Sequence, residues 1–303
     1  MYMMIEYLVL ISCIGFLASL IPGPHRKYAA IVGWVFIVAF LFADLPEYFS
    51  EDNFLYPLMA ILSVPFLLVT IKFLLVEKTP VMHLTRAAAV AFLIYAPFAY
   101  IPEVGNALIT VVVGEVLWLL QIFAYPVHLD AWNIIAQNGY RVEIILACTG
   151  IQSIAIMLGV AAAVPTNLRQ KISAFLLIAP TIYILNLFRN VFVTMAYTGQ
   201  WFPYWPEIAS NGEVGYESFF WAHNVIAEML ALVALILIAY GLFTLIPQLG
   251  SFADDLFQLY YGEVVGELDR LRGKRKSVPA GKPGSIPETD PGTGEDDPGF
   301  PKG

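Results

Sequence analysis

The sequence predicts an all-α membrane protein, a polytopic bundle of about seven to eight transmembrane helices. Hydrophobic residues make up 59% of its 303 residues, charged residues only 13%, and the mean hydropathy is +0.71. A water-soluble domain of this length cannot hide so much apolar surface. Several apolar runs also reach the ~20 residues that a helix needs to cross the hydrocarbon core of a bilayer.

Eight apolar runs predict the helices in order along the chain. They fall at about 7–22, 28–43, 55–76, 86–101, 106–124, 144–164, 172–197 and 219–246. The first run lacks a basic segment in front and is followed by further spans, so we expect no cleavable signal peptide. The only cysteines, Cys13 and Cys148, lie in different runs. This count excludes a disulfide framework and a cysteine-rich metal site.

The charges of the loops predict how the bundle is oriented. Basic residues cluster in the loops 25–27, 78–86, 169–171 and 270–276. The opposing loops, 44–52 and 200–217, are acidic or aromatic. Because basic loops remain in the cytoplasm, we expect the N-terminus outside and the C-terminus inside a cell membrane.

The segment 106–125 disturbs this alternation of loop charge. If it were a full span, Arg169 and Lys171 would face outward. We therefore interpret it as a re-entrant or interfacial helix, with Glu115 and Gln121 as its polar exceptions, which leaves seven spans. A full eighth span is the alternative, and it would need a different pairing of helices near the N-terminus.

The stretch between this helix and Cys148 has features of a small outward hairpin. Asn138-Gly139 favours the two positive φ angles of a type I′ turn, and β-branched or aromatic residues occur on both sides. We expect this extracytoplasmic hairpin to lead directly into the helix of Cys148. An ordinary polar loop is the alternative.

Three reactive side chains enter the apolar runs near one predicted depth. Cys148 and His223 each lie about four residues from the outer ends of their helices, ~6 Å at the rise of an α-helix. Arg189 lies about eight residues from its outer end, ~12 Å deep, and its long side chain can reach upward. Since ionisable groups in a membrane are costly, this coincidence favours a common site over an inert core cysteine and an interfacial histidine.

This set of side chains fits acyl transfer by a cysteine nucleophile. Arg189 would favour the thiolate and stabilise an oxyanion, and His223 would carry the proton from the thiol to the leaving amine. No acidic residue is clearly placed to orient His223, and Glu143 is the candidate at the outer rim. Other polar groups at similar height are candidates for binding the substrate: Thr149, Gln152, Asn186, Asn190 and Asn224. No metal ion or cofactor is implied.

These motifs resemble those of the exosortase/archaeosortase family. The resemblance covers roughly residues 125–230 and rests on the runs Ala-Cys148-Thr-Gly-Ile-Gln-Ser153, Asn186-Leu-Phe-Arg-Asn190 and Trp221-Ala-His-Asn224. Gln152 stands where an arginine is common in the bacterial branch, which favours the archaeal branch.

The resemblance implies a membrane cysteine transpeptidase that acts on secreted proteins, such as the surface glycoproteins of an archaeal S-layer. Its substrates would carry a C-terminal Pro-Gly-Phe signal, a transmembrane helix and a basic end. The enzyme would cut near the signal through a thioester on Cys148 and pass the acyl group to a lipid amine. Arg189 and His223 would complete the catalytic set near the extracytoplasmic face.

Two other functions stay open at this point. An intramembrane cysteine protease would release the same product to water. A transporter or structural protein would use the three polar residues to line a path, although no internal repeat or matched pair of broken helices indicates transport. Nothing in the composition indicates a nucleic-acid partner.

The chain is expected to divide into three regions. Residues 1–250 form the predicted transmembrane catalytic domain, 251–272 a cytoplasmic amphipathic segment, and 273–303 a disordered cytoplasmic tail rich in Pro, Gly and charge. The tail contains Pro298-Gly299-Phe300, the triplet implied for substrates. No apolar helix follows this triplet, and the tail is placed across the membrane from Cys148, so we do not expect self-recognition.

Overall fold

A computed structural model of the chain describes residues 2–46, 55–210 and 212–271, and the predicted disordered tail lies outside this part. The described residues form the polytopic helical membrane protein that the sequence predicts, with one small sheet. The helices are α1 (Tyr2–Ser19), α2 (Arg26–Ala43), α3 (Leu55–Leu75), α4 (Thr79–Tyr100), α5 (Pro102–Ile122), α6 (Ile151–Ala163), α7 (Leu168–Thr198), α8 (Pro206–Ala209), α9 (Tyr216–Phe219), α10 (Glu228–Leu245) and α11 (Gln248–Leu271).

Several of the described helices are long enough to cross a bilayer. By length and composition, six helical segments qualify: 26–43, 57–75, 79–100, 102–122, 168–198 and 216–245. Two further apolar helices are shorter, the segment Tyr7–Ser19 of α1 and the 13-residue α6. At a rise of 1.5 Å per residue, α6 is ~20 Å long and covers only part of the ~30 Å hydrocarbon core.

Small residues bring the first two helices close together. A Cβ on Gly15 would lie 2.6 Å from the backbone nitrogen of Gly33, so a larger residue would push α1 away from α2. Gly33 also leaves room for Phe16, whose ring packs edge-on against Trp34 and stacks on Phe92 of α4. Membrane helices associate through such close contacts because lipid provides no hydrophobic drive between them.

The same principle fixes the register between α4 and α6. A Cβ on Gly159 would lie 2.5 Å from the carbonyl oxygen of Ala87 and 2.9 Å from the Cβ of Ala91. Further along, the amide of Gln152 donates to the hydroxyl of Tyr95 at 3.3 Å. The two helices therefore run antiparallel, and the C-terminal end of α4 lies beside the N-terminal end of α6, near Cys148.

The basic loops gather at the opposite end of the bundle. Arg26 is the first residue of α2, and Glu77 lies in the loop before α4. The guanidinium of Arg26 donates to the Glu77 carboxylate at 2.7 Å, and this hydrogen bond holds the pKa of that carboxyl below its ordinary value. Gln170, near the start of α7, donates to the backbone oxygen of Leu245 at the end of α10. The register of α4 and α6 places these loops at one end, as loop charge predicts.

Helix α5 begins and ends on the Cys148 side of the bundle. Its start packs on the C-terminal part of α4, where a Cβ on Gly105 would lie 2.5 Å from the carbonyl oxygen of Phe98. Just beyond its end, the Tyr125 hydroxyl lies 2.9 Å from that of Thr198, the last residue of α7. By length and composition α5 could also cross a bilayer, so the choice between a re-entrant or interfacial helix and a full span stays a prediction.

A three-stranded antiparallel sheet lies between α5 and the Cys148 segment. Its strands are β1 (His128–Ala131), β2 (Ile134–Gln137) and β3 (Tyr140–Glu143), in that order. Asn138 and Gly139 have φ of 53° and 84°, as predicted for a type I′ turn, and this turn places Gln137 opposite Tyr140 in the sheet. Strand β1 was not predicted, because four exposed residues are too short a run to distinguish a strand from a loop.

The predicted amphipathic segment forms helix α11, and its first part packs on the bundle. The ring of Tyr260 stacks on Phe66 of α3 at 5.4 Å, and its hydroxyl lies 2.6 Å from that of Thr70. Phe252 and Leu256 line an apolar cavity together with residues of α3, α4, α6 and α10. Up to Tyr261, α11 is therefore attached to the membrane helices through its apolar face.

Candidate active site

Cys148 lies before the helix in which the sequence predicts it. It belongs to a short 3₁₀ turn, Leu146–Thr149, and α6 begins only at Ile151. Gly150 separates the two with φ of 78°, a left-handed conformation that interrupts the helical path. The expectation of one continuous helix from 144 to 164 is therefore wrong, because apolar composition alone does not reveal the break.

Two asparagines of α7 hold the backbone of Cys148. Asn186 and Asn190, one helical turn apart, donate their side-chain amides to the Cys148 carbonyl oxygen at 2.6 and 2.8 Å. A carbonyl oxygen accepts two such bonds, and an unsatisfied one would be costly at membrane depth. A Cβ on Gly150 would lie 3.3 Å from the side chain of Asn186. The glycine thus brings the turn close enough to be bound.

The sheet supports this turn from the other side. Buried Asn133, in the link between β1 and β2, donates to the Ile144 carbonyl at 3.2 Å and to the Glu143 carboxylate at 3.1 Å. The Asn133 carbonyl in turn accepts from the amide of Ile144 at 2.8 Å. The half-buried Cys148 side chain packs against the apolar cluster of α5, the sheet and α7. The position of the cysteine is therefore fixed by three elements.

Arg189 and His223 form a direct contact. The guanidinium Nη2 lies 3.1 Å from Nε2 of the imidazole, and Nδ1 lies 2.8 Å from Oδ1 of Asn224. Because a guanidinium only donates, Nε2 accepts, and the proton of the neutral ring sits on Nδ1 and is donated to Asn224. The ring also stacks on Phe219 at 4.8 Å. Asn224, rather than the expected Glu143, is the partner that orients this histidine.

His223 lies in an unusual part of its helix. The eight residues Phe220–Ala227, between α9 and α10, form a π-helix. Such segments are rare and occur frequently at functional sites, because the wider turn redirects side chains. This π-helix could not be predicted, since the composition of the segment is that of an ordinary apolar helix.

The remaining predicted contact residues have partners within the protein. The Thr149 hydroxyl donates to the Leu146 carbonyl at 2.7 Å and accepts weakly from the amide of Ile151, which caps the turn. Gln152 contacts Tyr95, as described above. Their predicted contact with a substrate stays a prediction, and so does that of Asn186, Asn190 and Asn224.

Among the described residues, direct hydrogen bonds connect the predicted site residues into two separate halves. One half is the Cys148 backbone with Asn186 and Asn190, and the other is Arg189 with His223. Arg189 lies three residues after the first asparagine and one before the second, so one turn of α7 carries both halves. Glu115, expected only as a polar exception in α5, accepts from the hydroxyl of Tyr183 at 2.6 Å, one turn below.

The length of α7 shows how deep this turn lies. Arg189 follows Lys171, in the basic loop region, by 18 residues, which is ~27 Å along the helix and close to the ~30 Å thickness of the hydrocarbon core. The site is thus about one bilayer thickness from the basic end. The last turns of α7 extend beyond it and contact the sheet, where Asn138 donates to the Thr198 carbonyl at 3.1 Å.

These features define a class of protein: a multi-pass helical membrane protein with a cysteine, an arginine and a histidine gathered at one end of its bundle. The sequence model of the transmembrane exosortase family (Exosortase_EpsH) matches residues 3–210. The chain therefore belongs to the transmembrane exosortase family, and it is a membrane processing enzyme. The match includes Cys148 and Arg189 and ends before His223.

Two curated relatives extend this similarity. The chain is 26% identical over 254 residues to archaeosortase A of Haloferax volcanii, covering 76% of this chain and 84% of the relative. It is 29% identical over 253 residues to archaeosortase A of Natronomonas pharaonis, covering 77% of this chain and 80% of the relative. No solved structure matches the chain.

Proposed function

We propose that this protein is a cysteine transpeptidase that cuts secreted proteins near a C-terminal Pro-Gly-Phe signal and transfers them to a lipid amine. The observation that supports this most is the turn of α7 that binds the Cys148 carbonyl through two amides and carries the Arg189–His223 pair between them. The similarity to two archaeosortase A proteins points in the same direction.

The first step forms a thioester. The Cys148 thiol gives its proton to Nε2 of His223, and the sulfur attacks the carbonyl carbon of the scissile peptide bond. Nε2 is the nitrogen that lacks a proton in the arrangement described above, which suits this role. The guanidinium of Arg189 must turn from the imidazole toward the new oxyanion, so that one movement frees the base and stabilises the charge.

Collapse of the tetrahedral intermediate completes the cut. The carbon–nitrogen bond breaks, and His223 returns the proton to the leaving amine of the C-terminal fragment. The secreted protein then remains attached to Cys148 as an acyl group. In the second step the lipid amine attacks the same carbonyl carbon, His223 takes a proton from its nitrogen and returns it to the departing cysteine sulfur, and an amide bond replaces the thioester.

We assign positioning roles to the two asparagines of α7. Since both amides bind the Cys148 carbonyl, they fix the turn that presents the sulfur. Asn224 likewise keeps the Nδ1 proton of His223 in place. In this proposal they act on the substrate through Cys148 and His223.

Gly150→Ala will reduce processing by at least tenfold without unfolding the bundle. The change places a side chain at a left-handed φ, which costs roughly 1–2 kcal/mol, and presses on Asn186 at 3.3 Å. The rate of substrate cleavage per folded enzyme in membranes is the measurement. Gly139→Ala is the matched control, because φ is also positive there but a Cβ would meet nothing within 4 Å. Equal rates for both variants would contradict the proposed coupling between Gly150 and the site.

We further propose that the site faces the outside of the cell membrane, with the basic loops in the cytoplasm. In a variant with Cys13 and Cys148 replaced by serine, a cysteine at Val214 should react with a membrane-impermeant thiol reagent added to intact cells. Val214 is 96% exposed near the site end, and Leu168, 72% exposed at the basic end, is the matched second position. Labelling of Leu168→Cys and not of Val214→Cys would reverse the proposed orientation.

The nature of the second step is tested on the product. Purified enzyme and a substrate with the Pro-Gly-Phe signal are incubated with and without a lipid amine. The mass of the new C-terminal peptide is then measured by mass spectrometry. We expect a C-terminus that carries the lipid when the amine is present. A free carboxylate under both conditions would identify a protease that releases its product to water.

A further inference from the structure

An apolar groove lies between α7 and α10 and leads to Arg189. It has a volume of about 400 Å³. On α7 it extends from Ile182 to Phe192, and on the facing side from Ala227, the last residue of the π-helix, to Ile238 of α10. Gly150 and Ser153, close to Cys148, line it as well. The groove therefore connects the lipid-exposed side of the bundle with the candidate active site.

The groove is closed at its deep end and opens toward the site. Below it, a Cβ on Gly241 would lie only 3.1 Å from the side chain of Leu177, so the two helices are in close contact there. Ile238, Ile182 and Ile178 belong to one buried cluster at this level. Nearer the site, three alanines about one turn apart line the groove with small methyl groups: Ala227 at the end of the π-helix, and Ala231 and Ala234 of α10.

The dimensions of the groove favour a single hydrocarbon chain over a helix. The part of α7 that lines it spans ten residue steps, ~15 Å, and the volume is about 400 Å³. A helical segment of the same length and only 10 Å diameter would occupy about 1,200 Å³. An extended alkyl or isoprenoid chain is narrow enough for this space, whereas the transmembrane helix of a protein substrate is not.

The polar groups lie at one end only. Leu185, Phe188 and Leu230 are typical of the walls, and Arg189, Asn186 and Ser153 line the end nearest Cys148. The guanidinium has five donors, of which one contact goes to His223. At ~27 Å from the basic end, Arg189 lies near the edge of a ~30 Å hydrocarbon core, where its long side chain can reach lipid phosphates. The arrangement is complementary to an amphiphile with a phosphate-bearing head and an apolar chain.

We propose that the groove binds one chain of a membrane phospholipid whose amine-bearing headgroup lies beside Arg189. This places the headgroup amine next to the turn of Cys148, so the bound lipid is the acceptor in the second step. The identification as acceptor rests on the proposed function, whereas the binding site itself rests on the dimensions and polarity of the groove.

Photo-crosslinking tests the occupant of the groove. Benzoylphenylalanine is placed at Leu185, which lines the groove, or at its neighbour Ile184, which does not, although the two are similarly exposed at 46% and 51%. The full-length protein is embedded in bilayers of phosphatidylethanolamine and irradiated, and the adducts are identified by mass spectrometry. Ala234→Trp fills the groove, and Leu237→Trp, on the exposed side of α10 at 64%, is its control.

We expect a phospholipid adduct at Leu185 that Ala234→Trp lowers at least tenfold and Leu237→Trp leaves unchanged. The adduct at Ile184, which arises from bulk lipid, should not respond to either change. An adduct at Leu185 that is equally insensitive to Ala234→Trp would overturn the inference. So would an adduct with the transmembrane helix of a Pro-Gly-Phe substrate that forms at Leu185 in place of lipid.

This experiment separates the binding site from the chemistry. Crosslinking needs no turnover. If the groove binds lipid but no thioester forms on Cys148, the result contradicts the proposed function and leaves the lipid site standing. Conversely, wild-type enzyme that forms the thioester but shows no groove-dependent lipid adduct would contradict only the assignment of the groove. In the active enzyme, Ala234→Trp should slow aminolysis of the preformed thioester by at least tenfold relative to Leu237→Trp.

Discussion

Cys148→Ala will abolish both the covalent intermediate and the cleavage of substrates. The thiol is the nucleophile in the proposed mechanism, and alanine offers no group that can form an acyl bond. The loss should reach the detection limit, a larger effect than for any other single replacement. Cleavage is measured as substrate processing in membranes. The covalent intermediate is measured as the intact mass of the denatured enzyme, and the mass increase on the wild-type enzyme should map to Cys148.

Cys13→Ala is the control for this experiment. Cys13 lies in α1, which packs mainly on α2 and α4, and its replacement should leave cleavage within about twofold of wild type. Retention of the fold in the Cys148 variant can be followed by its resistance to proteolysis in detergent. Substantial cleavage by a well-folded Cys148→Ala enzyme would refute covalent catalysis at this position.

Arg189→Lys will lower the rate of thioester formation by about 10²–10³-fold, the usual cost of losing a donor to an oxyanion. Lysine keeps the charge, but its single ammonium cannot match the planar arrangement of donors that serves both His223 and the carbonyl oxygen. Single-turnover rates of thioester formation isolate this step. Substrate binding, measured on the Cys148→Ala background, should change much less than the rate.

Arg169→Lys provides the matched control on the same helix. Arg169 is exposed at the opposite end of α7, and its replacement should leave the rate unchanged. If Arg189→Lys and Arg169→Lys behave alike while both proteins fold, the guanidinium of Arg189 has only a structural role.

The helices and their ends could be predicted because hydrophobicity and loop charge act over long stretches. Seven of the eight apolar runs correspond to helices along the bundle, and 106–125 corresponds to α5. The type I′ turn was predictable because Asn138-Gly139 has a strong local preference. The grouping of Cys148, Arg189 and His223 toward one end of the bundle was also predicted, although Cys148 lies in a turn before its helix.

The details that build the site depend on contacts between distant segments. Nothing local indicates that Asn133 would support Ile144, or that two asparagines of α7 would share the Cys148 carbonyl. The break at Gly150 had one signal, a glycine just after the cysteine. Its meaning appears only beside Asn186, where a side chain would not fit. The groove also could not be predicted, because alanines spaced along a helix are common in membrane proteins.

The π-helix at Phe220–Ala227 has a consequence for comparing this chain with its relatives. Each residue advances an α-helix by about 100°, so one inserted residue turns everything before it relative to everything after it. A relative with a regular α-helix here would align with this chain only through a one-residue gap. If that gap were ignored, its histidine would be aligned with a position of this chain that points away from α7. Likewise, deleting one residue between Phe220 and His223 would rotate Tyr216–Phe219 while leaving the alanines of α10 in place. Alignments of the family should therefore be anchored on both sides of this segment separately.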